Sequence, residues 1–144
     1  MKDDMIMLVK LRVNNKNQLT ADTSSSGTDP HDFTVSPNAK REGEPLAIIF
    51  KIKNGTKCRF RSQSQDGAEP IEIVDAKTGA QAVAKVFSWQ LLTPKLLLVI
   101  DNPDADNYGD AKFKDYKYTL FAKHKTSASE DPAPYDPSIR NLRI

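Results

Sequence analysis

The amino-acid sequence predicts an all-β fold, an immunoglobulin-like β-sandwich of two antiparallel sheets with seven to nine strands. Three observations predict it. Apolar residues recur at every second position in several short segments, as in a strand with one buried side. No stretch sustains the 3.6-residue period of a long helix, and nine prolines divide the 144 residues into short pieces. Turn signals separate the apolar segments at the spacing of a sandwich.

The strands follow in order. Over residues 5–13, Met7, Val9, Leu11 and Val13 share one side while Lys10 and Arg12 take the other. Residues 14–32 are polar and Ser/Thr-rich, so they read as a long surface loop, with Leu19 as the one point where a brief strand contact fits. A short strand is expected over 33–36, stopped by Pro37, and residues 38–44 read as a polar turn. Residues 46–53 are expected to form a central strand. Asn54 and Gly55, which both tolerate positive φ, predict a hairpin from it into residues 57–61. Residues 70–75 form the next strand, and Lys77, Thr78 and Gly79 turn the chain. Residues 80–89 suit helix or strand, and the neighbouring strands favour strand. The apolar run Leu96 to Ile100 has the length of a strand covered on both sides. Residues 113–123 place Tyr116, Tyr118, Leu120 and Ala122 on one side, and residues 139–144 read as a closing edge strand. The whole, 1–144, reads as one domain, with a Pro-rich segment at about 127–137.

Charge excludes several function classes. Twenty-one Lys plus Arg against 19 Asp plus Glu leave a net charge of +2, which points to neither nucleic acid nor a membrane surface as partner. The densest basic group, Lys51, Lys53, Lys57, Arg59 and Arg61, reads as the solvent side of a strand pair. The apolar stretch near the start is too short for a signal-peptide core or a membrane span, so a cytoplasmic location is expected.

No catalytic constellation is assigned, and no enzyme is expected. His31 and His124 are the only histidines, no Gly-x-Ser-x-Gly elbow is present, and Cys58 reads as a small buried hydrophobe. The spacing of Cys58 and the three methionines does not suit a blue-copper site. Trp89, Tyr116 and Tyr118 read as core aromatics. Tyr108 and Tyr135 are the two expected at the surface, a thin basis for a sugar site.

The acidic loop 101–110 is the sharper candidate. Counting Asp104 as position one puts Asp106 at three, Gly109 at six and Asp115 at twelve, a spacing like that of an EF-hand calcium loop. Asp104, Asp106, Asp110 and Asp115 are therefore the candidate calcium ligands. Tyr108 at position five, a short Asp at twelve and the lack of flanking helices favour an ordinary Asx-rich turn.

The end of the chain is its most distinctive stretch: Tyr135, Asp136, Pro137, Ser138, Ile139, Arg140, Asn141. Together with Phe33, Thr34 and Val35, the 46–52 strand, and Lys57, Cys58, Arg59 and Phe60, it resembles the small bacterial DP-EP family, whose members end in a similar Asp-Pro-x-Ile-x-Asn motif. Inclusion-body-type proteins are similar in ending with Asp-Pro-x-Ile. The resemblance implies a β-sandwich and no reaction. The long Ser/Thr-rich loop and the Pro-rich approach depart from the first family. Read locally, Pro137 holds Asp136 extended, Asp136 accepts from a backbone N–H two residues on, and Ile139 drops into the core, making Asp136, Pro137, Ile139 and Asn141 a structural motif.

These readings make the chain a non-enzymatic binding or assembly module that engages a protein partner or a second copy through an edge strand. The alternative is a calcium- or carbohydrate-binding accessory domain using loop 101–110.

Overall fold

The computed structural model describes residues 6–21, 32–35, 46–53, 56–82, 85–126 and 129–142, with the backbone alone at 32–35 and 142. Among these residues the fold is all-β. The strands are β1 (Ile6–Val13), β2 (Leu19–Ala21), β3 (Asp32–Val35), β4 (Leu46–Ile52), β5 (Cys58–Phe60), β6 (Ile71–Asp75), β7 (Phe87–Thr93), β8 (Leu96–Asp101), β9 (Phe113–Leu120), β10 (Ala122–His124) and β11 (Ser138–Leu142). One helical turn, α1 (Gln63–Asp66), and a 3₁₀ turn at Pro103–Ala105 interrupt them. The count exceeds nine because residues 113–123 divide at Phe121 into β9 and β10, and because the contact at Leu19 extends into β2.

Three sheets result: a five-stranded one ordered β2-β1-β4-β8-β7, a four-stranded one ordered β3-β11-β9-β6, and the pair β10-β5. The expectation of purely antiparallel sheets is corrected at two places, since β1 runs parallel to β4 and β3 parallel to β11. The expected 46–53/57–61 hairpin is corrected too. Residues 54–55 lie outside the described residues, and β5 pairs with β10 while β4 lies between β1 and β8. The turn signal fixes only a local bend. Ile52 and Phe60 are both fully buried, and burying them in one core sends the chain from one sheet to the next instead of back along itself.

Residues 80–82 and 85–86 are not in a strand; β7 starts at Phe87 and continues to Thr93, with a single bridge from Gln81 to Val74. Strand β8 alternates: Leu97, Val99 and Asp101 are buried and Leu96, Leu98 and Ile100 are half-buried, so it is not covered equally on both sides. The last strand is not an edge, because β11 is held between β3 and β9.

Alternation directs one side of each large sheet into a common core. Phe50 of β4 and Phe87 of β7 meet Tyr118 and Tyr116 of β9 edge-to-face, with ring centroids 6.2 Å (Phe50–Tyr118), 4.8 Å (Phe87–Tyr116) and 5.8 Å (Phe87–Tyr118) apart. Ser62 caps α1 by accepting from Gln65 N (3.2 Å), and Gly67 ends it at φ 71°. Among the described residues no helix is long and apolar enough to cross a membrane.

The polar segments are more ordered than their composition suggests. Leu19 N donates to Ala133 O (2.8 Å), Ala133 N to Asn17 O (2.9 Å), and Tyr135 exchanges two backbone bonds with Leu120. The loop expected at 14–32 thus contains β2, and its residues 22–31 lie outside the described residues. Of the Pro-rich 127–137 segment, Pro132, Tyr135 and Pro137 are buried.

Candidate functional site

Strand ends from both sides of the fold converge on two adjacent clefts. One, of about 510 Å³, is lined by Arg12, Val13, Asn17, Lys53, Thr56, Lys57, Cys58 and His124. The other, of about 620 Å³, is lined by Lys51, Ile52, Arg59, Thr93, Pro94, Lys95, Leu96 and Lys125. Cys58 and Arg59 of β5 face alternate clefts, as do His124 and Lys125 at the end of β10, while Lys51 and Ile52 of β4 line the larger cleft and Lys53 just beyond it the smaller, so the same three segments form the wall between them. Seven Lys and Arg line the two clefts, and no carboxylate does so among the described residues.

The cations differ in their surroundings. Arg59 is committed: its two terminal nitrogens reach both Asp66 oxygens (2.8 and 3.1 Å), and that bond holds the Asp66 carboxyl down at about 2. Lys95 donates from Nζ to Thr56 O (2.7 Å), and burial, then the charge of Lys125, lowers its pKa. Register places Lys10 directly opposite Lys51 on the same side of the five-stranded sheet, a like-charge cross-strand pair that costs stability. Arg61 is elsewhere, 3.7 Å over the Phe121 ring. The expected solvent side of a hairpin is therefore a rim to which six separate strands contribute.

Cys58 and His124 stand in cross-strand register in this rim. The pair does not have the arrangement of a nucleophile and base. Cys58 is 1% exposed and burial raises its pKa, while Thr126 N and Oγ1 lie 3.4 and 3.3 Å from His124 Nδ1. His31 lies outside the described residues.

The four candidate calcium ligands are not brought together. Asp106 meets Lys114 Nζ (3.3 Å) and accepts from the Tyr116 hydroxyl, Asp115 is doubly bonded to Arg140 (2.8 and 3.2 Å), and Asp104 and Asp110 are exposed. No group of three metal-ligating side chains occurs among the described residues. The two tyrosines expected at the surface are corrected as well. Tyr135 is 3% exposed, and Tyr108 is half-buried with its hydroxyl donating to Pro103 O (2.9 Å).

The C-terminal motif reaches the interior. Ile139 is fully buried, as expected, whereas Asp136 meets Lys117 Nζ (3.1 Å) and Thr119 Oγ1 (3.4 Å) in place of a backbone N–H two residues on. Asn141 does what the sequence did not reveal. Its Nδ2 donates to Asp101 Oδ1 (2.8 Å), joining the four-stranded sheet to the five-stranded one with both residues fully buried. Asp101 Oδ2 and Asn141 Oδ1 have no hydrogen-bond partner among the described residues. Burial first, and the nearby Asp106 charge, push the Asp101 carboxyl up to about 7 against the pull of the Asn141 bond.

Compared with family models, curated proteins and solved structures, the chain matches none.

Proposed function

We propose that the chain is a non-catalytic binding module with an immunoglobulin-like sandwich architecture, and that it takes an anionic partner on its basic rim. The observation that carries this is the gathering of seven cations, with no carboxylate among the described residues, around two clefts of a chain whose net charge is only +2. Like charges held together in concave surroundings repel each other, and an anion relieves that repulsion when it binds. The committed Arg59 and the raised Cys58 thiol support binding over catalysis. The Asp-Pro-x-Ile-x-Asn ending, with Ile139 and Asn141 turned into the core, supports grouping the chain with the DP-EP family.

Titration calorimetry against pyrophosphate, tripolyphosphate, citrate, an oligoglutamate peptide and an oligothymidylate tests the proposal. At least one anion is expected to bind, more weakly as ionic strength rises, and more weakly still to the double variant Lys51→Glu, Lys125→Glu. Failure of the whole panel to bind would overturn it.

A further inference from the structure

The ligand chemistry of the rim follows from how its two clefts join, and this step rests on the anion-binding reading above. Lys95 lines the larger cleft, yet its Nζ donates to the carbonyl oxygen of Thr56, a residue of the smaller one. Lys125, also in the larger cleft, donates its backbone N–H to Lys57 O (3.1 Å), and Lys57 lines the smaller one. The charges of Lys95 and Lys125 both act on the Cys58 thiol, which lies in the smaller cleft. The two ammonium groups therefore stand where the clefts meet, with Lys51 on one side and Lys57 on the other.

The lining selects among anions. Lysine ammonium groups are compact, strongly hydrated point charges suited to phosphate oxygens. A guanidinium fork is the bidentate holder of carboxylate and phosphate alike; Arg59 in the larger cleft has committed its fork to Asp66 and Arg12 lines only the smaller one, so the junction offers the point charges of its lysines. Among the described residues no Phe, Tyr or Trp lines either cleft, and the one ring present, the His124 imidazole, is in the smaller cleft, so the larger cleft has no surface on which a nucleobase would stack. A single phosphate reaches one group of lysines, whereas linked phosphoryl groups reach both.

We infer that the junction of the two clefts binds a condensed phosphate, a chain of two or more linked phosphoryl groups, with Lys95 and Lys125 at its centre and Lys51 and Lys57 at its flanks. Each added phosphoryl group that reaches a further lysine gains a charge-assisted hydrogen bond, on the order of tenfold in affinity.

Titration calorimetry with orthophosphate, pyrophosphate and tripolyphosphate tests this, with citrate and oligothymidylate as comparison anions. The dissociation constant is expected to fall by about tenfold or more from orthophosphate to tripolyphosphate. Lys125→Met should raise the tripolyphosphate value about tenfold, while Lys77→Met, at a different cleft, leaves it unchanged. Lys95→Met should act as Lys125→Met does; because it also loses the Thr56 bond, a thermal melt accompanies it, and Lys125→Met decides the matter if it fails to fold. Equal affinities for orthophosphate and tripolyphosphate, or an affinity that Lys125→Met does not move, would overturn the inference. Binding of citrate or oligothymidylate without tripolyphosphate also overturns it and leaves the anion-binding reading standing, whereas silence from the whole panel, the oligoglutamate peptide above included, removes both.

Discussion

Replacing Asp101 with asparagine should remove most of this protein's pH dependence of stability between pH 4 and 7. In the folded chain the Asp101 carboxyl, 0% exposed, is pushed from 3.8 up to about 7. The folded state therefore holds a proton through this range that the unfolded chain has already released. Stability from this group is fully present below about pH 4 and is lost as pH rises through about 7. At about 1.4 kcal/mol per pH unit, the interval corresponds to about 4 kcal/mol. That is a large share of the 5–15 kcal/mol typical of a domain. The proton has a structural place: a protonated Asp101 Oδ2 is a donor, and Asn141 Oδ1 is the acceptor left over beside it. Asp101→Asn supplies a permanent N–H donor at the same position. Urea unfolding of both proteins at pH 4.5 and pH 8 measures the effect. The variant should be close to the parent at the lower pH and more stable by up to about 4 kcal/mol at the higher one. A parent whose stability is flat or rising over this range, or a variant that keeps the parent's slope, would refute the reasoning.

Asn141→Leu removes the one described bond to Asp101 and should cost about 3 kcal/mol in urea unfolding, more at pH 8 than at pH 4.5, since the stranded group is then a buried charge. Arg59→Met should cost about 1–2 kcal/mol at neutral pH. Its effect should shrink as acid protonates Asp66, whose carboxyl is held at about 2; the stability that a lowered pKa supplies is present above the ordinary value and lost on the way down. Gly79, at φ 76°, should lose about 1 kcal/mol on replacement by alanine, read as a lower melting temperature. Iodoacetamide should leave Cys58 unmodified in the native protein and label it in urea; rapid native labelling would contradict its burial.

Period-two patterning was enough to find β1 and β9 and their buried sides, because alternation records which side of a strand meets the core, and short apolar segments bounded by turn signals marked β4, β6 and β8. Pairing was not legible in the same way. Nothing local in residues 6–13 says that they lie parallel to residues 46–52, and the Asn54–Gly55 signal carried no information about which sheet would receive β5. The basic rim was half visible. Lys51, Lys53 and Lys57 are close in sequence, but Lys95 and Lys125 join them only through the turn between β7 and β8 and the end of β10. Asp101 read as the first carboxylate of a polar loop, although its alternation with Leu97 and Val99 placed it on the inner side of β8. Tyr135 read as exposed because prolines surround it, whereas its backbone bonds to Leu120 draw it inward.

The position of β11 has a consequence for how the protein is made. A strand held between β3 and β9 leaves the ribosome after both of them. Until residues 138–142 are synthesised, two rows of unpaired backbone N–H and C=O groups stand open in the nascent chain, and any extended segment of another chain can bind there. A premature stop near residue 137 therefore does more than shorten the protein: it yields a species with two adhesive edges and an Asp101 that has lost its amide donor.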